Sequence, residues 1–250
     1  MKKILVPSLI ALALGSVSGL AQAQAAAPAS SLSYNVGVTT DYRYRGISQS
    51  RLQPAVQGGF DYADKSGFYV GAWGSTIKWI KDTPGVTKGD TELDLYAGYK
   101  GAVGDVAYDV GFLRYQYAGN NYVNYGANTN TNEIYGAATL GVVTAKYSHA
   151  ISNLFGNVGS KNSYYLDLSA ALDLGNGFAL TPHVGYQKIK GAASVNGSYT
   201  DYALTLSKDL GNGLTASAAL VGTDADKTFY TLKDKFNGKS GLAIGLKYAF

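Results

Sequence analysis

The chain contains no cysteine, so neither a disulfide framework nor thiolate chemistry is open to it, and its fold must be held by backbone pairing and packing. Charge is scarce as well. Asp, Glu, Lys and Arg make up 15% of the 250 residues, against about 25% in ordinary soluble domains. No apolar run reaches the roughly 20 residues that a membrane-spanning helix needs, since the longest, Ile4 to Leu14, stops at Gly15 and Ser16. Helical membrane insertion is thereby excluded. Only two histidines are present, which leaves little material for metal or acid–base chemistry.

What is there begins with an export signal. Lys2 and Lys3 precede the apolar run, and Ala21-Gln22-Ala23 follows as a small-x-small cleavage site, the order of a secretory leader. Residues 1–23 are therefore set apart as a signal peptide, 24–31 as a short N-terminal segment and 32–250 as the folded domain. Removing the leader leaves 19 basic against 17 acidic residues, a net charge of +2. Nucleic acid is not an expected partner at that charge without clustered Lys and Arg.

Glycine is plentiful at 32 residues, and the 21 tyrosines far outnumber 8 phenylalanines and 2 tryptophans. Tyrosine combines an apolar ring with a polar tip and suits a boundary between lipid and water. From Leu32 onward the sequence alternates with a period of two. Leu32, Tyr34, Val36, Val38 and Tyr42 share one face, while Ser33, Asn35, Gly37, Thr39, Asp41 and Arg43 share the other. The same alternation recurs in about twelve segments, each near the 9–11 residues that a tilted strand needs to cross a bilayer.

The connections between segments alternate in length. Asp-Leu-Gly-Asn-Gly occurs at Asp173 to Gly177 and again at Asp209 to Gly213, and Asn-Gly is the signal of a tight hairpin. Longer polar stretches lie between, at about 78–90, 118–131, 151–162, 188–197 and 223–239. Short turns on one rim and long loops on the other belong to an all-β, up-and-down antiparallel transmembrane barrel with periplasmic turns and extracellular loops. A soluble barrel or sandwich alternates too, but its wet face would be dense in Lys and Glu, whereas here Gly, Ala, Ser and Thr dominate. The chain closes on Leu242 to Phe250, an alternating strand with a terminal aromatic. That ending resembles the signature by which bacterial outer-membrane proteins reach their barrel-assembly machinery, so Phe250 is expected to contact it.

Thr40-Asp41-Tyr42-Arg43-Tyr44-Arg45-Gly46-Ile47-Ser48-Gln49-Ser50, with Pro54 to Tyr62 and Ser66 to Ser75, resembles the TorF-type porin family of proteobacteria. The resemblance is strongest over the first third of the mature chain. It implies an outer-membrane barrel in contact with lipid and lipopolysaccharide, and it brings no catalytic residues.

The expected function is passive diffusion of small polar solutes or ions. A non-conducting structural or adhesive barrel, whose loops bind partners, is the alternative. The charges expected to line the lumen are Asp41, Arg43, Arg45, Glu92, Asp94, Asp109, Arg114, Glu133, Lys146, Asp167, Asp201 and Lys247. Their mixed signs argue against strong ion selectivity. Arg43 and Arg45 have two open roles, as a solute-selecting constriction or as structural partners of nearby carboxylates. The loop at 118–131 either stays outside or folds inward as a plug.

Enzyme chemistry is not expected. His149 and His183 lack a nucleophile motif beside them. Asp224-Ala225-Asp226 fails as a calcium loop because Lys235 stands where the bidentate Glu belongs. No cofactor is called for.

Overall fold

The computed structural model describes residues 30–124 and 126–250; the expected signal peptide lies outside the described residues. Twelve strands follow one another: β1 Ser31–Thr39, β2 Ala55–Ala63, β3 Phe68–Thr76, β4 Thr91–Val103, β5 Val106–Gln116 and β6 Thr131–Leu140. The second half comprises β7 Val143–Ala150, β8 Tyr164–Ala170 with its continuation Leu172–Gly175, β9 Phe178–Lys188, β10 Tyr199–Gly211, β11 Leu214–Thr223 and β12 Gly241–Ala249. Each pairs antiparallel with the next, and β12 returns to pair with β1 from Asn35 opposite Ala249 to Thr39 opposite Gly245. Tyr34 and Phe250 complete the seam by exchanging two backbone hydrogen bonds at 2.8 and 3.0 Å. The sheet is thus a closed antiparallel barrel without a free edge, the one β arrangement in which every backbone group can be paired inside hydrocarbon.

Sequence parity decides which face looks out. Leu and Val at one parity are exposed, with Leu168 at 49% and Ile244 at 50%. Between them, the inward positions Thr139, Thr144, Ser148, Ser169, Thr205 and Ser217 are buried. A soluble fold would do the reverse, because exposing that much apolar area to water forfeits about 25 cal/mol per Å². Among the described residues no helix is long and apolar enough to cross a membrane, which says nothing against strands that do so.

Tight turns gather on one rim together with both ends of the barrel, as an even strand count requires. Asn176 and Gly177 take φ of +52° and +77°, and Asn212 and Gly213 take +51° and +82°. Those left-handed angles are the ones that a two-residue hairpin demands. In both copies of the repeat the Asp carboxylate accepts the N–H of the residue two further on, Asp173 from Gly175 and Asp209 from Gly211, at 2.8 Å each.

Part of the excess of Tyr and Gly has a packing origin. On the inner wall Tyr96, Tyr69 and Tyr135 stand directly across from Gly71, Gly98 and Gly111 on adjacent strands. Each ring lies over its glycine so closely that a Cβ there would fall 2.4–2.6 Å from ring atoms. Tyrosines therefore lie along the wall instead of projecting across the bore.

One expectation about the first strand is corrected. Extending the alternation puts Tyr42 on the lipid face, but the strand ends at Thr39, the chain turns inward, and Tyr42 is buried at 2% exposure beside Trp73.

Candidate functional site in the barrel lumen

The connection between β1 and β2, residues 40–54, does not stay outside. Arg43 pairs with Ser48 and Tyr44 with Ile47 in a short hairpin, whose tip is Arg45 and Gly46 at φ of +45° and +77°. Its base is built by Asp41, whose carboxylate accepts bonds from Arg43 Nε and Ser48 Oγ, both at 2.5 Å. The hairpin enters the bore. Arg45 donates to both oxygens of Glu133 at 3.1 and 2.7 Å and to Gln187 Oε1 at 2.7 Å. Glu133 is on β6, five strands round from β1 in one direction, and Gln187 is on β9, four strands round in the other, so the tip is tied to the far side. The guanidinium also lies over the rings of Tyr44 and Tyr165 at 4.8 and 4.3 Å, a favourable placement for a planar cation.

Further contacts hold the hairpin from beneath and above. Tyr42 donates to Glu92 Oε1 at 2.5 Å, and the Tyr44 and Tyr115 hydroxyls are 2.5 Å apart. Asn237, from the loop before β12, accepts the Ser48 N–H at 2.8 Å and Arg43 Nη1 at 3.3 Å through its backbone oxygen. Arg51 forms an ion pair with the buried Asp82 of the single-turn helix Trp79–Asp82, and that hydrogen bond raises the Arg51 pKa above its ordinary value. At Gly46 a Cβ would meet Thr223 and Asp201 at 2.5 and 2.6 Å, so only glycine fits against the wall there.

The loop at 118–131 stays above the bore. Ala127 donates to the Gly156 oxygen at 2.9 Å, while Asn121 Oδ1 receives the N–H groups of Thr87 and Lys88 at 3.1 and 3.2 Å. It packs on neighbouring loops, and the inward element is the first loop instead.

Most of the anticipated charges face the lumen. Asp109 accepts from Tyr69 at 2.6 Å, and Lys146 lies 4.1 Å from the centre of the Tyr135 ring. Asp167 and Asp201 flank His183, with Oδ2 of Asp167 at 3.0 Å from Nδ1 and Oδ1 of Asp201 at 2.8 Å from Nε2. Tyr165 donates to Asp201 Oδ2 at 2.9 Å. Glu92, Asp94 and Lys247 share this inward parity with Asp109 and Glu133.

Arg114 is a correction. It has the parity of Val110 and Phe112, both exposed on the outer surface, and it bonds Gln116 and Asn132 at the loop rim. Two lumen charges lie beyond those expected from the sequence: Asp61, which accepts from Tyr96 at 2.5 Å, and Lys100, 4.8 Å from the centre of the Tyr69 ring. Parity opposite to that of Phe60 and Tyr99 is the signal that locates them. The lumen then carries acidic Asp41, Asp61, Glu92, Asp94, Asp109, Glu133, Asp167 and Asp201 against basic Arg43, Arg45, Lys100, Lys146 and Lys247, an acidic excess of three among these side chains before His183 is counted. Among the described residues no group of His, Asp and Glu is arranged to hold a metal ion.

The two sides of the bore differ. Tyrosines crowd β3 to β8, while the wall of β10 to β12 and β1 is small: Thr39, Ala203, Thr205, Ser217, Ala219, Ala243 and Gly245 line a cavity of about 60 Å³ beneath the hairpin. Above it, a second cavity of about 300 Å³ opens among the loops, with Tyr44, Trp79, Tyr122, Phe155 and Tyr230 in its walls.

A model described as "Bacterial protein of unknown function (Gcw_chp)" matches residues 22–250. No curated protein sequence matches the chain. Among solved structures, the KdgM porin superposes with a TM-score of 0.53 at 9% identity, covering 88% of this chain and 99% of that one. The NanC porin gives 0.54 at 11%, covering 88% and 99%. The COG4313 outer-membrane channel of Pseudomonas putida F1 gives 0.52 at 12%, covering 89% and 95%. Identities this low establish a shared barrel fold and nothing finer.

Proposed function

The chain belongs to the Gcw_chp family of bacterial proteins, and we propose that it is a porin-like channel for passive diffusion of small polar solutes, narrowed by its own first loop. The carrying observation is the asymmetric bore, lined by charged and hydroxyl side chains among small and aromatic ones and cleared along one wall by small residues, with the Arg45 hairpin spanning its upper part. Fold likeness to porins and an outer-membrane channel supports the reading, and so does the earlier resemblance to TorF-type porins.

The same proposal puts the protein in the bacterial outer membrane after export by residues 1–23. Its apolar exterior meets lipid and lipopolysaccharide, and Phe250 serves the assembly machinery. The acidic excess favours cations over anions by a modest margin. His183 is held between two carboxylates, with the Tyr165 hydroxyl 3.1 Å from its Nε2.

Arg43 and Arg45 divide the two roles left open by the sequence. Arg43 bonds Asp41 and the backbone oxygens of Gly46 and Asn237, whereas Arg45 crosses the bore to Glu133 and Gln187. Purified protein in a planar bilayer tests the reading. Stepwise currents with mild cation preference are expected, and absence of any step over a range of salts would favour the non-conducting barrel.

A further inference from the structure

The cavity above the hairpin differs in chemistry from the bore below. It holds about 300 Å³, the lower end of the range for small-molecule sites. Its walls are aromatic and amide, with Ile47, Leu154, Ile189 and Leu232 between them. No Asp, Glu, Lys, Arg or His is among the described residues that line it, although charged groups surround it on the loops.

The aromatic walls are fixed in place. Trp79 meets Tyr117 edge-on at 5.4 Å and 86°, Tyr44 meets Phe155 at 5.5 Å and 82°, and Tyr230 meets Tyr199 at 5.1 Å and 78°. Rings held this way lose little freedom when a ligand stacks on them. Between them stand the amides of Gln49, Gln187 and Asn237. Two polar atoms in these walls are buried without a hydrogen-bond partner, the Trp79 indole Nε1, a donor, and Asn237 Oδ1, an acceptor. Leaving such groups unpaired is unfavourable, so a ligand that supplies their partners gains by it. The Asn237 backbone is pinned by Tyr230 and Ser48 at 3.0 and 2.8 Å, so its side chain is held at the wall.

We propose that this vestibule binds a neutral saccharide ring arriving from outside the cell. Three features single out that chemistry. Aromatic faces suit the apolar C–H face of a sugar. Hydroxyls, each both donor and acceptor, are complementary to the unpaired N–H of Trp79 and the unpaired C=O of Asn237, two residues of its walls. A charged ligand would lose its water with no counter-charge facing it, and a purely apolar one would leave both polar atoms unpaired. The site is independent of the channel reading, because binding here requires no current.

Full-length protein in lipid nanodiscs, free of sugar-headed detergent, provides the test. Trp73 and Trp79 are the two tryptophans, so Trp73→Phe makes Trp79 the sole reporter. Maltose, a diuronate of similar size and benzyl alcohol are titrated separately and followed by emission and by calorimetry. A saturable response to maltose is expected, with the diuronate and benzyl alcohol at least tenfold weaker. Trp79→Phe, which keeps a ring and removes the donor, and Asn237→Leu should each weaken maltose binding about tenfold by calorimetry, roughly the value of one hydrogen bond left unmade. Heat-modifiable gel mobility verifies that each variant is folded. Iodide quenching of Trp79, slowed by maltose in the Trp73→Phe protein, is a second readout that needs no further variant. No saturable maltose response, or tighter binding of the diuronate or of benzyl alcohol, overturns the proposal. Currents without maltose binding would sink this inference alone, and binding without currents would sink only the channel reading.

Discussion

Replacing Arg45 with Ala should release the first loop from the bore. Arg45 and Glu133 side chains are 5% and 2% exposed, so solvent screening discounts their pairing little. The substitution removes a two-pronged ion pair, the bond to Gln187 and stacking on two rings, and it strands Glu133 as a buried unpaired charge. Removing one partner of such a pair costs about 3–5 kcal/mol. No strain is recovered in exchange, since Ala at the φ of +45° now held by Arg45 is disfavoured as well. At 1.4 kcal/mol per power of ten, the population ratio of displaced to inserted loop should rise by roughly two to three and a half powers of ten. Single-channel recording reads this directly, as a rise in the fraction of time spent in a larger conductance level. Glu133→Gln in the same chain should return part of the change by removing the stranded charge. If Arg45→Ala leaves the occupancy of every level within a factor of ten of wild type, the hairpin is not held by this anchor and the reasoning fails.

Three other outcomes follow from the same structure. Leu168→Arg, at mid-height on the outer face of β8, should cost about 2–4 kcal/mol of barrel stability; urea titration in detergent or lipid checks it, and an unchanged midpoint would contradict the lipid-facing assignment. Gly111→Val pushes against the Tyr135 ring, which lies 2.6 Å from where a Cβ would stand, so overpacking of about 1–3 kcal/mol should turn the ring into the bore and lower the unitary current of folded protein. Asp201→Asn removes one lumen carboxylate beside His183, and the reversal potential under a salt gradient should move toward anions by a few-fold in permeability ratio, with no movement counting against the acidic-lumen account.

Why the strands were readable and the plug was not has a physical basis. Parity of two, Asn-Gly turns and a closing strand are local signals, and they placed twelve strands, both rims and the meeting of β1 with β12. The hairpin at Arg45 rests on partners 88 and 142 residues away, Glu133 and Gln187, and no local pattern announces contacts at that separation. Tyr42 was misread for the same reason: alternation continues in the sequence past Thr39, but the strand does not. Arg114 is different, since counting from Val110 and Phe112 places it outside; its charge argued for water, and the loop rim supplies water on the outer surface too. Asp61 and Lys100 were equally available to parity. The chemistry of the upper cavity is beyond local reading, because its walls come from six loops.

The measurement that tests the central claim most directly uses the absence of native cysteine. Ser217, buried on the inner wall, and Leu220, 59% exposed on the outer face, are each replaced by Cys, and a water-soluble charged thiol reagent is added during bilayer recording. Current through Ser217→Cys protein should fall stepwise as the reagent reacts, while Leu220→Cys protein should conduct unchanged. Loss of current only in the Leu220→Cys protein, or no current in either, would contradict a water-filled bore inside a lipid-facing barrel.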